Sequence, residues 1–161
     1  MKIIAKKSLG QNFLFDKNII NIITNCTKIE NKNILEIGPG TGNLTREIIR
    51  KKPKKILLIE KDTKLVDLLK DQYTENITFI NEDVLKINEN FLSKEKLVVF
   101  GNLPYNISTE ILIKWILNLD KKVWFEKLIL MFQKEVADRI ISRFNTSTYG
   151  RLSIMCNWRL N

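Results

Sequence analysis

The sequence predicts an α/β fold: a mostly parallel sheet with helices on both faces. Three observations carry this. Short Ile/Leu/Val-rich runs recur along the chain and are apolar on both faces, as in strands buried on both sides. Amphipathic segments of helical period separate them. The first run also ends on a glycine loop that leads into a helix, "LEIGPGTGNL" (35–44). Such alternation implies right-handed crossovers within one sheet.

A basic arm occupies residues 1–14, "MKIIAKKSLGQNFL". Ile19, Ile20, Ile22, Ile23 and Cys26 then fall at helical spacing behind Asp16, a suitable N-cap. "NILEIG" (33–38) is the first expected strand and "NLTREIIRK" (43–51) the next helix. "KILLIE" (55–60) is a second strand, followed by the helix "TKLVDLLKDQY" (63–73). "ITFIN" (77–81) and "KLVVFGN" (96–102) are the third and fourth strands. "STEILIKWILNL" (108–119) is a helix with Ser108 as its expected cap, "KLILMFQ" (127–133) a fifth strand and "KEVADRIIS" (134–142) a helix. The tail "TSTYGRLSIMCNWRLN" is less clear by periodicity and ends inside an apolar pattern.

Apolar residues at 44% in 161 positions suffice for one domain with one real core. No apolar run approaches the roughly 18 residues of a membrane span, and the basic N-terminus lacks the apolar core of a secretory signal. Cys26 and Cys156 are the only cysteines. They are expected to be buried apolar side chains in a cytoplasmic protein, not a disulfide framework. The absence of histidine sets aside zinc hydrolysis and Ser-His chemistry, and no metal is expected. The net charge is +9, and residues 1–60 hold 12 Lys/Arg against 5 Asp/Glu. "RKKPKK" (50–55) and the arm carry much of that excess, which fits a surface facing phosphates.

Gly38, Gly40 and Gly42 follow the first strand directly, where the backbone of an α/β sheet approaches a ligand. Dinucleotide binders carry G-x-G-x-x-G, whereas here the third glycine comes one residue early. Glu36 places a carboxylate two residues before the first glycine. A pyrophosphate would be repelled there, but the ammonium of an amino acid would be attracted. Both features favour S-adenosylmethionine over NAD. Glu60 ends the second strand, where a carboxylate can accept both hydroxyls of a ribose; an ordinary solvated acid is the alternative. Asp83 follows the third strand and can accept from an adenine amino group, with Val84 beside it. Capping a helix is the alternative for Asp83.

"FGNLPYNIS" (100–108) follows the fourth strand, on the same sheet edge. The 6-amino group of adenine is a poor nucleophile because its lone pair is delocalised into the ring. Two acceptors out of the ring plane can draw its N–H groups toward tetrahedral geometry and expose the lone pair. The Asn102 side-chain oxygen and the Leu103 carbonyl can supply them by orientation and preorganisation, without a strong base. Pro104 fixes φ and steers Leu103 away from helix. Tyr105 offers a stacking face, worth roughly 1–3 kcal/mol per base in single-strand binders.

"GQNFL" (10–14), "EIGPGTGNLT" (36–45), Glu60, "EDVL" (82–85), "GNLPYNIS" (101–108) and "QKEVADRI" (133–140), in this order, resemble the ribosomal RNA adenine dimethyltransferases. The small-subunit branch is more similar than the macrolide-resistance branch that modifies the large subunit, where Ile more often precedes the Pro. The resemblance implies a Rossmann-like class I methyltransferase fold. It also implies dimethylation, from S-adenosylmethionine, of two adjacent adenosines near the 3′ end of small-subunit RNA in immature subunits. By the same resemblance Asn12 and Leu14 close over the cofactor, Gly38 contacts its methionine part, Glu60 the ribose and Asp83 the adenine; Gly40 and Val84 are expected to bind the cofactor beside them. Asn102 lies between cofactor and target, and Tyr105 beside the target base. A monomer is expected, with residues 1–161 forming the catalytic domain. The resemblance further implies that the last two strands and a C-terminal helical RNA-docking domain lie outside this sequence. The alternatives are an RNA-binding or ribosome-assembly module of the same fold with little or no turnover, and a large-subunit adenine methyltransferase of the macrolide-resistance type.

Overall fold

A computed structural model describes residues 10–73, 76–119 and 123–160. Most of the arm, residues 1–9, lies outside these. Five strands form one sheet: β1 (Asn33–Ile37), β2 (Lys55–Ile59), β3 (Ile77–Ile80), β4 (Leu97–Asn102) and β5 (Phe125–Met131). The order is β3-β2-β1-β4-β5 and every pairing is parallel. The chain moves outward from β1 to β3, then crosses back to place β4 on the other side of β1. The gap between the ends of β1 and β4 is therefore the topological switch point, where open α/β sheets bind ligands.

Among the described residues six helices accompany the sheet: α1 (Lys17–Asn25), α2 (Asn43–Arg50), α3 (Thr63–Gln72), α4 (Ser108–Leu117), α5 (Lys134–Ile140) and α6 (Arg151–Arg159). Asp16 caps α1, its carboxylate accepting from the N–H groups of Asn18 (2.8 Å) and Ile19 (3.3 Å). Alternate strand residues feed two cores. Ile34, Ile56, Leu58, Val98 and Phe100 pack with Ile20, Ile23, Leu44 and Ile48 of α1 and α2. Leu35, Ile37, Leu57, Ile59 and Val99 pack with Ile111 and Trp115 of α4. Burial on both sides is the physical reason β1, β2 and β4 are largely apolar on both faces, whereas the edge strands β3 and β5 are only partly buried. Glu36 shares the face of Ile34 by the two-residue period, so a carboxyl enters an otherwise apolar layer.

Three expectations need correction. Ser108 does not cap α4: Ile107 holds that position, and the Ser108 hydroxyl donates back to the Tyr105 carbonyl at 3.2 Å. Cys26 is exposed because α1 ends at Asn25; only Cys156 is buried. The fifth strand runs 125–131 rather than 127–133, ending where its partner ends, at the pair Asn102 and Met131. Among the described residues no helix is long and apolar enough to cross a membrane.

Candidate active site

A cavity of about 140 Å³ opens at the carboxyl edge of the sheet, lined from four strand ends and from the arm at Gly10–Phe13. Its floor begins at the loop after β1. Gly40 has φ of 58°, and a Cβ there would lie 2.9 Å from the Phe13 ring, so both its backbone and its space exclude a side chain. Gly38 is also left-handed, at φ 63°, but a Cβ would meet only the Asn102 carbonyl at an ordinary 3.6 Å. Its glycine serves conformation alone.

Glu60, at the end of β2, is 8% exposed. Its carboxylate accepts from the Asp62 N–H at 2.9 Å and the Gly40 N–H at 3.3 Å. It thereby ties the glycine loop to the second strand. Burial pushes its carboxyl up, against these backbone bonds, which pull it down. Asp83 caps a short 3-10 turn (Val84–Lys86), accepting from the Leu85 N–H at 3.0 Å. Its other oxygen pairs with the Lys61 ammonium at 2.8 Å, and that bond holds the carboxyl below the usual carboxylate range. The capping alternative for Asp83 is thus present, alongside its place on the cavity wall.

Asn102 ends β4 across the switch point. Its side-chain nitrogen donates to the Asn12 carbonyl at 2.5 Å. The amide nitrogen is therefore committed to the arm, and the oxygen is the acceptor left to the site. Gln11 anchors the arm a second time, donating to Asp62 at 3.2 Å. Glu36 lies beneath the loop and lines a smaller adjoining cavity with Asn12, Leu14 and Gly38. It is 1% exposed, and its Oε2 has no hydrogen-bond partner among the described residues. Burial pushes this carboxyl up to about 8. The Glu60 charge adds to the shift. The nearby Thr45 hydroxyl opposes it, although its geometry falls short of a regular hydrogen bond.

A sequence model described as "Ribosomal RNA adenine dimethylase" matches residues 3–161. The chain belongs to the ribosomal RNA adenine dimethylase family. A curated relative from Pelagibacter ubique, "Ribosomal RNA small subunit methyltransferase A", is 61% identical over 157 residues, covering 98% of this chain and 60% of its own length. The crystal structure of a dimethyladenosine transferase from Plasmodium falciparum superposes with a TM-score of 0.77 at 31% identity, covering 89% of this chain and 51% of that one. That of the 23S rRNA methyltransferase ErmE gives 0.71 at 28%, covering 90% and 55%. The chain thus spans about 60% or less of the curated relatives it matches.

In this adenine dimethylase family member, Asn12, Gly38, Gly40, Glu60, Asp83, Val84, Asn102 and Pro104 all line the main cavity. Leu14 lines the smaller one. Leu103 and Tyr105 line neither. The Leu103 side chain is fully buried in the α4 core, and Tyr105 is half-buried. Sequence reasoning missed Phe13, Lys61, Leu65 and Asn106 on the wall. Phe13 had a signal, an aromatic residue directly after the polar pair Gln11 and Asn12 in the arm; Lys61 had none beyond following Glu60. Among the described residues no group of three or more Asp, Glu, Cys or His is placed to hold a metal ion.

Proposed function

We propose that the chain carries the catalytic part of an S-adenosylmethionine-dependent methyltransferase. Its targets are the 6-amino groups of two adjacent adenosines near the 3′ end of small-subunit ribosomal RNA. It acts as a cytoplasmic monomer on immature small subunits. The observation that best supports this reading is the meeting, in one cavity at the switch point, of a left-handed glycine loop, two strand-end acids, Asn102 and Pro104.

The residues present fit the cofactor. Gly40 leaves a cradle that a Cβ would fill. Ile37, Ile59, Leu65 and Val84 give the cavity an apolar wall, suited to a flat base. The unpartnered Glu36 oxygen fits an ammonium. S-adenosylmethionine supplies a methyl group on a sulfonium, an electrophile that asks only for an exposed lone pair. Glu60 accepts from ribose hydroxyls, Asp83 from the adenine amine, and Asn12 and Leu14 cover the site. The Asn102 oxygen and the Leu103 carbonyl hold the two N–H groups of the target amine. The Leu103 carbonyl is spared by the following turn, whose first bond runs from the Ile107 N–H to the Pro104 carbonyl at 3.1 Å. Tyr105 supplies the stacking face.

Titration with S-adenosylmethionine, followed by radiolabel transfer to immature small subunits, tests the reading. Binding and transfer to adenine are expected. Binding without transfer removes the assigned reaction, and no binding removes the assignments of Gly38, Glu60 and Asp83.

A further inference from the structure

The two ends of the sheet differ in charge. The charged residues on the wall of the main cavity are Glu60, Glu82 and Asp83 against Lys61 alone. Among the described residues, this wall repels phosphates. A second, open groove of about 470 Å³ lies at the opposite, amino edge of the sheet, and its charged residues are Lys54, Lys55 and Lys94 against Glu95 alone. Its remaining polar lining includes Asn33, Asn76, Thr78 and Ser93. Resting on the function proposed above, we infer that this groove is a docking surface for the ribose-phosphate backbone of the RNA substrate, separate from the site of chemistry.

Topology brings the lysines together. In a parallel α/β sheet the strand starts and helix ends share one edge. Asn33 pairs in register with Lys55, and Ile56 with Ile77, so the starts of β1, β2 and β3 form the groove floor. The segment 93–95 forms its rim. Glu95 is already spent: it accepts from Lys54 at 2.8 Å and from Asn33 at 2.6 Å. Lys55 and Lys94 are exposed and form no ion pair among the described residues. Lys52 does not line the groove but stands on the same sheet edge, with φ of 53° just past the end of α2. Glycine or asparagine would take that left-handed position with less strain, so a lysine there trades backbone ease for a charge at this edge. A five-residue strand at about 3.3 Å per residue separates the two ends by about 17 Å or more. That span suits a large, folded RNA that is gripped at one end of the sheet and modified at the other.

The test compares two triple variants of the full chain: K52Q/K55Q/K94Q at the groove edge, and K17Q/K64Q/K134Q at the helix starts of the opposite edge. The net charge change is the same. Each is titrated against a fluorescein-labelled mixed-sequence RNA hairpin across a potassium chloride series. Each phosphate contact contributes about −0.7 to −0.9 to the slope of log affinity against log salt. The groove variant should lose about 2 from the slope's magnitude and at least about tenfold in affinity at 0.1 M salt. The control should lose little, and affinity for S-adenosylmethionine should be unchanged in both. Wild-type binding with an unaltered groove variant, or an equal loss in the control, overturns the docking surface and leaves the proposed function standing. Failure of the wild-type chain to bind RNA at all overturns both.

Discussion

Replacing Glu36 with glutamine should stabilise the fold progressively, relative to the wild type, as pH rises. The carboxyl sits 1% exposed on the apolar face of β1, and burial raises it from 4.5 to about 8. The folded state therefore prefers the neutral acid, whereas the unfolded chain releases the proton near its ordinary value. Stability from the neutral form is fully present below 4.5 and is lost as pH rises toward 8. Within that window each pH unit removes about 1.4 kcal/mol, so the loss between pH 5.5 and 7.5 is about 3 kcal/mol. Glutamine has nearly the same shape and cannot ionise. Any cost of its own amide is independent of pH and cancels in the comparison. Asp83 and Glu95 are shifted downward, so their contributions change below about pH 4 and stay outside the window. Glu60 is shifted upward, but it is common to both chains. Urea unfolding at pH 5.5 and 7.5 reads the difference directly. Parallel profiles for the two chains would show that the Glu36 carboxyl is not held neutral, and the argument would fail.

The same proton gives a second reading. An ammonium placed against Glu36 favours its charged form, so S-adenosylmethionine binding at pH 7 should release nearly one proton. Calorimetry in two buffers of different ionisation enthalpy should detect that release in the wild type and none in the glutamine variant.

Asn102→Ala should abolish methyl transfer while leaving cofactor affinity within about tenfold, because the amide orients the target amine; equilibrium binding and single-turnover transfer separate the two. Asn102→Asp keeps an acceptor but sets an oxygen against the Asn12 carbonyl, now 2.5 Å from the amide nitrogen. It should free the arm to limited proteolysis and still reduce transfer. Gly40→Ala should cost about 1–2 kcal/mol for the left-handed backbone and displace Phe13, seen as faster cleavage within the arm. Lys114→Met should destabilise the fold by about 3 kcal/mol by urea unfolding. It leaves the buried Glu89 carboxylate with only the Trp115 indole N–H, at 2.7 Å, and removes the ammonium bonds to the Val84 and Ile87 carbonyls.

The strands were legible because burial on two faces leaves a short run rich in Ile, Leu and Val on both faces, and the helices because burial on one face leaves a period. Where the reading slipped, an interaction between segments had decided the outcome. The run "KLILMFQ" continues apolar through Phe132, but strand pairing stops at Met131 because β4 stops at Asn102. Ser108 has the chemistry of a cap, yet the Pro104 turn starts the helix one residue earlier and turns the hydroxyl back to Tyr105. Cys26 fits the period of α1 and falls one residue past its end. The candidate site followed the same rule. Gly38, Gly40, Glu60 and Asp83 stand at strand ends that the pattern locates, and all reach one cavity. The arm's contacts join residues far apart in sequence, Gln11 to Asp62 and Asn12 to Asn102, and no periodicity marks them.

Those contacts alter the account of the Asn102 turn. An isolated asparagine amide can present either its oxygen or its nitrogen to a ligand, and only the oxygen can accept an N–H. Here the Asn12 carbonyl takes the nitrogen, which fixes the amide in the orientation that the proposed amine chemistry needs. Phe13 of the same arm packs against Gly40, and Gln11 bonds Asp62, the residue that caps α3 beside Glu60. One short segment therefore covers the cavity, braces the glycine loop and sets the polarity of the acceptor. Seating the arm and preparing Asn102 are one event, so a loosened arm should impair orientation of the target amine even where cofactor affinity survives.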